Sequence, residues 1–165
     1  MRPVQSGRAY RVNGPPMNAA VTPELARELE RVLESFAQDS GFTERDPVFV
    51  QFGAGIVGHH QVGRAADIYE IGGVGLDRWH ELWERAREEC SKCTEPSTRI
   101  ATWNQQTRQN LGWRLYKELQ CFGRWARPCG YPVQLFGPWT RSEGPCRTIS
   151  DRLLRAHRDH IHVAK

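Results

Sequence analysis

Two short stretches hold the residues whose types and spacing can do chemistry. GHHQVGRAAD, residues 58–67, places His60 and Asp67 seven residues apart, with a Gly-x-Ala turn between them. Packing has no use for that combination. The second stretch is HRDHIHVAK at residues 157–165. Within it HIHV reads as a strand, in which residues two apart share a face. His160 and His162 then point one way, while Ile161 and Val163 point into the core. Histidines held on one face by a rigid element, joined by His60 and Asp67, give a His/Asp/His set of nitrogen and oxygen ligands. Three protein ligands with a fourth position open is the pattern of a catalytic zinc site, whereas structural zinc sites are closed.

The elements that must position these residues follow from periodicity. Thr22-Pro23 starts a helix, a hydroxyl cap before Pro at the first helical position. Leu25, Leu29, Val32, Leu33 and Phe36 share its inner face, and Gly41 closes it. PVFVQF (47–52) and AADIYEI (65–71) read as strands. In the second, alternation sets Asp67, Tyr69 and Ile71 on one face and Ala66, Ile68 and Glu70 on the other. GGVG at 72–75 is a turn, not a phosphate loop, since no Lys-Ser/Thr follows it. Leu76, Trp79, Trp83, Ala86 and Cys90 predict a helix from Asp77 to about Cys90. CSKCTEPSTR reads as a loop. A third helix is expected from about Gln105 to Phe122, with Gly112 as its weak point. PVQLF gives a short strand, and Ser150–Ala156 a short helix. Residues 1–20, with Gly, Pro and Asn at intervals, read as a flexible lead-in, leaving 21–165 as a single domain.

The bulk properties narrow the class. The chain has 165 residues, enough for one domain with a real core. With 39% hydrophobic residues, six Trp, six Phe and four Tyr, it is a folding sequence. A net charge of +4, from 23 basic and 19 acidic residues evenly mixed, suits an anionic polymer surface without demanding nucleic acid. No apolar run approaches the ~20 residues that span a bilayer, so no membrane insertion is expected. Residues 1–20 also lack the apolar centre of a secretory leader. Five cysteines, Cys90, Cys93, Cys121, Cys129 and Cys146, leave an odd thiol in a monomer. Disulfides and buried free thiols both fit. A zinc knuckle fits less well, because Cys90-x-x-Cys93 has no second such pair.

The pattern His60-x-x-Gly63-x-Ala65-x-Asp67, followed far downstream by Asp159-His160-x-His162, resembles the zinc peptidases that cleave cell-wall peptides. These comprise the D-alanyl-D-alanine carboxypeptidase and L,D-endopeptidase group, the murein endopeptidases and the hedgehog-type domain. His157-x-Asp159-His160-x-His162 is especially similar to the ending of the murein endopeptidases. The first motif looks more like the carboxypeptidase branch. The resemblance implies an α+β fold, a small central antiparallel sheet flanked by helices, with the zinc site on the sheet. It implies one zinc per chain, with His60, Asp67 and His162 as ligands. Gly63 would allow the turn between ligands, and Ala65 and Ala66 would keep the wall beside the metal thin.

The implied activity is hydrolysis of an amide bond in the peptide stem or cross-link of peptidoglycan. The family often has Ser where this chain has Gly58, and many members carry an upstream Arg that grips a substrate carboxylate. QFGAGIVG has no Arg, which favours an endopeptidase over a carboxypeptidase, with Arg64 as the candidate substitute for substrate binding. The resemblance makes Asp159 the general base, three residues before His162, with His160 and His157 steadying the oxyanion or orienting water. Strand parity instead favours His160 as base. His59 reads as a loop bystander, His80 as structural, and His157 equally as a helix C-terminal histidine. The implied place of action is extracytoplasmic, as a trimmed mature domain, a lysin or a delivered toxin with an immunity protein as its partner. A zinc-stabilised domain of hedgehog-like type that binds cell-wall peptides without cutting them is the alternative. A nucleic-acid-binding domain using Trp103, Trp113 and Trp125 is the weakest reading, since these residues suit a core.

Overall fold

The computed structural model describes residues 1–13, 20–53, 60–121, 134–140 and 150–164. Gly58, His59, Phe122, Trp125, Cys129 and Cys146 lie outside the described residues, as does the side chain of Cys121.

The first helix forms where its sequence caps it. In α1 (Pro23–Asp39), the Thr22 hydroxyl accepts a hydrogen bond from the Leu25 N–H at 3.3 Å, with Pro23 opening the first turn. Its inner face, Leu25, Ala26, Leu29, Val32, Leu33, Phe36 and Ala37, is buried. Six strands make a mixed, mostly antiparallel sheet: β2 (Tyr10–Asn13), β4 (Val48–Gly53), β5 (Ala65–Ile71), β6 (Val74–Gly75), β7 (Gln134–Phe136) and β8 (Ile161–Ala164). The order is β2-β4-β5-β8-β7, with β6 paired to β5. β1 (Arg2–Pro3) and β3 (Ala20–Val21) form a separate antiparallel pair. With five helices among the described residues packed around the sheet, the architecture is α+β, as the sequence predicts. No helix among these residues is long and apolar enough to cross a membrane.

Three expectations are corrected. Residues 2–13 are not a lead-in, because β2 runs parallel to β4 from Tyr10↔Val48 to Asn13↔Gln51, and Val4, Ala9 and Tyr10 belong to the core. Two glutamates of α1 hold this segment. Glu30 accepts from the Arg2 guanidinium and the Gln5 N–H, and Glu34 accepts from the Arg8 and Ala9 N–H groups. The second correction concerns the helices after α2 (Leu76–Ser91). The predicted loop and single long helix are instead α3 (Pro96–Arg108) and α4 (Leu111–Cys121). Pro96 opens a helix within the stretch expected to be a loop. Asn110 then divides the two: its side-chain carbonyl accepts from the Trp113 N–H at 2.9 Å, and its amide donates to the Trp79 carbonyl at 2.7 Å. Gly112 is no weak point, since a Cβ there would lie 2.6 Å from the Trp79 Cβ and 2.8 Å from the Trp139 ring.

The third correction is in β5. Its register against β4 runs Val50↔Ile71, Gln51↔Glu70, then Phe52↔Ile68 and Gly53↔Asp67, so Tyr69 is an extra, unpaired residue. A bulge of this kind breaks the two-residue alternation. Ile71 therefore joins Ala66 and Ile68 in the core, where strict alternation had placed it beside Asp67. Ala66, on the face opposite Asp67, is core and not a wall of the site.

Cys90 and Cys93 are free thiols, Cys90 buried and Cys93 half-buried. Five aromatic side chains of α2, α3, α4 and the segment after β7 pack together: Trp83 lies against Trp103 and Trp113, and Trp139 against Trp113 and Tyr116. His80 stacks on Trp83, a structural setting.

Candidate metal centre

The sheet brings the two motifs together by register. Asp67 of β5 lies opposite His162 of β8, which in turn lies opposite Phe136 of β7, while Gly53 of β4 faces Asp67 from the other side. Residues directly opposite share a face, so Phe136, His162, Asp67 and Gly53 form one row across four strands. The neighbouring row, Ile161, Ile68 and Phe52, is fully or almost fully buried and belongs to the core.

His60 reaches this row from the turn before β5. The His60 carbonyl accepts from the Gly63 N–H at 3.0 Å, and Gly63 has φ of 68°, a left-handed conformation that favours glycine. The Gly63 carbonyl accepts from the Thr22 N–H at 2.7 Å, tying the turn to the N-terminal cap of α1. The expected role of Gly63 is thus visible in the backbone.

His60, Asp67 and His162 offer ligand atoms that all lie within 4.8 Å of one another. His60 Nε2 is 3.3 Å from Asp67 Oδ2, and His162 Nδ1 is 2.8 Å from Asp67 Oδ1. Tetrahedral zinc with bonds of 2.0–2.2 Å sets its ligand atoms about 3.3 Å apart. The first edge matches that spacing. His162 Nδ1 lies closer, at the other carboxylate oxygen, because its N–H donates there, a proton that a bound cation would replace. The widest edge needs closure by at most about 1.5 Å to meet the tetrahedral spacing. Asp67 and His162 are buried and His60 is half-buried. Burial works to raise the Asp67 carboxyl, but its contacts with His162 and His60 outweigh that and hold it well below the usual carboxylate range. A buried carboxylate kept ionised among imidazoles fits a divalent cation with nitrogen and oxygen preferences. This group can hold one metal ion.

Two more histidines face the group. His160 Nε2 lies 3.8 Å from Asp67 Oδ1, and its Nδ1 is 2.7 Å from Asp159 Oδ1. A carboxylate accepts, so Nδ1 donates to Asp159 and Nε2 is the nitrogen turned toward Asp67. His157 closes the short helix α5 (Asp151–Ala156), whose cap is the Ser150 hydroxyl. His157 Nδ1 donates to the Leu153 carbonyl at 2.8 Å, which leaves Nε2 as the lone-pair nitrogen. Burial pushes the His157 imidazole below its ordinary value, and neighbouring His162 and His160 add to that against the upward pull of the Leu153 carbonyl. Its ring lies 4.9 Å from His160 and 5.1 Å from His162.

Asp159 stands apart from the ligand atoms. Its side chain is 63% exposed and it touches the centre through His160. Arg64 is exposed beside the turn, with no hydrogen bond to the ligand group among the described residues. Tyr69 and Phe136 were given no role by the sequence, yet both line the centre. Tyr69 stacks on His160 at 4.8 Å, and Phe136 packs on His157 at 5.1 Å and on His162 at 6.0 Å. The signal for Tyr69 was its position two residues after Asp67, and for Phe136 there was none before the register was known. Comparison with protein-family models, curated proteins and solved structures returned no match to this chain.

Proposed function

We propose that this protein is a zinc-dependent peptidase that hydrolyses an amide bond in the peptide stem or cross-link of bacterial peptidoglycan, acting as an endopeptidase. The observation that carries the reading is the convergence of His60, Asp67 and His162 from two distant motifs, with His160 and His157 turned toward the same point. Zinc bound there would lower the pKa of a water and polarise the scissile carbonyl.

The chain's own residues supply the rest. His160 Nε2, the nitrogen that faces the ligand group beside the Asp67 carboxylate, is placed to take a proton from water and return it to the leaving amine. Asp159 holds the opposite nitrogen protonated and steadies the imidazolium that forms. This division departs from the resemblance, which makes Asp159 the base. What supports it is that the imidazole stands between Asp159 and the ligand atoms. His157 keeps Nε2 toward the site through its bond to Leu153, and a neutral imidazole there orients water. Exposed Arg64 is a candidate for gripping substrate. A substrate of this kind places the activity in the periplasm or cell wall, and an immunity protein would be its partner if the chain is a delivered toxin.

The test is fragment release from purified peptidoglycan, read by mass spectrometry, alongside zinc content. His160→Ala should keep zinc and lose about 10²–10⁴-fold in turnover. Asp159→Ala should keep zinc and lose less. If Asp159→Ala abolishes turnover while His160→Ala retains most of it, Asp159 is the base. If zinc-loaded wild type binds cell-wall peptides and cuts none, it is a binding domain and the peptidase reading is wrong.

A further inference from the structure

Tyr69 has no ladder partner, since the register of β4 against β5 skips it, and its ring lies across Gly53. A Cβ at Gly53 would overlap that ring. Gly53 sits in the ligand row directly opposite Asp67, so the bulge and the glycine together clear a place for an aromatic ring at the edge of the candidate metal centre. The ring fills it face to face with the His160 imidazole, 4.8 Å between centroids and 25° between planes.

We propose that Tyr69 is a positioning residue that fixes the plane of the His160 imidazole, so that its Nε2 stays aimed at the ligand atoms. The inference rests on the reading of His160 as the proton-accepting group. The bond from His160 Nδ1 to Asp159 selects which ring edge faces inward, but Asp159 is exposed and can swing with it. Rotation about the last side-chain bond of a histidine is soft, so one hydrogen bond to a mobile partner leaves the plane free. The stacked Tyr69 ring confines it, with the tilted His157 ring also close, at 4.9 Å. Ring pairs of this kind bias a conformational equilibrium by about two- to tenfold. The ring carries the role, and the hydroxyl is dispensable.

The experiment uses zinc-loaded protein with Tyr69→Phe, Tyr69→Leu and Gly53→Ala. Zinc content, kcat and KM for peptidoglycan cleavage, and long-range proton–nitrogen spectra of the histidines are read for each. Tyr69→Phe should match wild type throughout. Tyr69→Leu and Gly53→Ala should keep zinc and KM, lower kcat about two- to tenfold, and let His160 exchange between its two tautomers where wild type shows one. An unchanged His160 spectrum and kcat in Tyr69→Leu would overturn the proposal. So would a Tyr69→Phe loss equal to that of Tyr69→Leu, which would assign the work to the hydroxyl. If wild type cleaves no cell-wall peptide, the peptidase reading fails by itself, and the tautomer spectra still decide whether Tyr69 positions His160.

Discussion

Replacing Asp67 by Asn keeps the side chain's shape and removes its charge, which isolates what the carboxylate does. A complete four-position zinc site has an apparent binding free energy of about 10–16 kcal/mol. One of four positions is then worth about 2.5–4 kcal/mol, or roughly 10²–10³-fold in Kd. The Asn carbonyl remains a weak oxygen donor, so the expected loss lies near the lower end. Two contacts set the metal-free cost. His162 Nδ1 at 2.8 Å donates a charge-assisted hydrogen bond, and His60 Nε2 at 3.3 Å adds a weaker one. Asn keeps a neutral version of the first, so metal-free stability should fall by only about 1–2 kcal/mol. The zinc-induced gain in stability should fall by about 2.5–3 kcal/mol at fixed excess free zinc, following the change in Kd.

The assay is competition against a chromophoric zinc chelator near neutral pH, with urea unfolding of metal-free and zinc-loaded protein. Asp159→Asn is the control, since that exposed carboxylate touches the centre only through His160 and should leave zinc affinity within about threefold. A pH series checks the sign. A carboxyl held below its ordinary value contributes stability that is complete above its unfolded pKa, about 3.9, and is lost as pH falls below it. The stability difference between metal-free wild type and Asp67→Asn should therefore be constant at neutral pH and shrink under acid. If Asp67→Asn binds zinc as tightly as wild type, or if Asp159→Asn loses as much, the ligand assignment is wrong.

Gly63→Ala should cost about 1–2 kcal/mol from its left-handed backbone. It should also weaken zinc binding, because its Cβ would meet the Thr22 backbone nitrogen at 3.2 Å and displace the His60 turn. Gly73→Ala, with φ of 75° and open space around it, should show the backbone cost in urea unfolding with zinc affinity unchanged. Asn110→Ala removes two buried hydrogen bonds and the cap of α4, and should lower unfolding free energy by about 2–3 kcal/mol without touching metal content. Burial depresses the His157 imidazole, so the unfolded chain binds more protons just below its pKa of about 6.5, and metal-free stability should fall as pH drops through that window. His157→Phe should flatten that slope in urea unfolding measured across the same range.

Local chemistry made much of this fold legible. Thr22-Pro23 marks the start of α1 because a hydroxyl cap and an N-terminal proline act within one turn. Val48, Val50 and Phe52 alternate with exposed neighbours because β4 has one buried face. What escaped depends on distant partners. The segment 2–13 is ordered by Glu30 and Glu34 of α1, which look like ordinary surface charges in sequence. PSTRIATWNQQTR has no apolar stripe, and Thr107 is its buried residue; α3 is held from outside, by Trp83 against Trp103 and by Gln106 bonded to Glu89.

The candidate site shows the same division on a smaller scale. In β8 the parity argument holds, since Ile161 and Val163 are in the core and His160 and His162 face the ligand group, because nothing interrupts the strand. In β5 the same argument places Asp67 and Tyr69 correctly and fails at Ile71, two residues past the bulged Tyr69. The residue sequence of β5 does not reveal that bulge. Its counterpart is Gly53 of β4, sixteen residues before Tyr69, whose missing side chain makes room for the displaced tyrosine. Parity also bears on the disputed base. Asp159 precedes the first β8 residue by two positions, so strand geometry does not orient it, and its carboxylate turns to His160. His160, immediately before the strand, already follows the strand's alternation. A proton acceptor must keep its aim through turnover. For the proposed reaction, His160, which shares a face with His162 and stacks on Tyr69, meets that demand better than an exposed carboxylate one residue away.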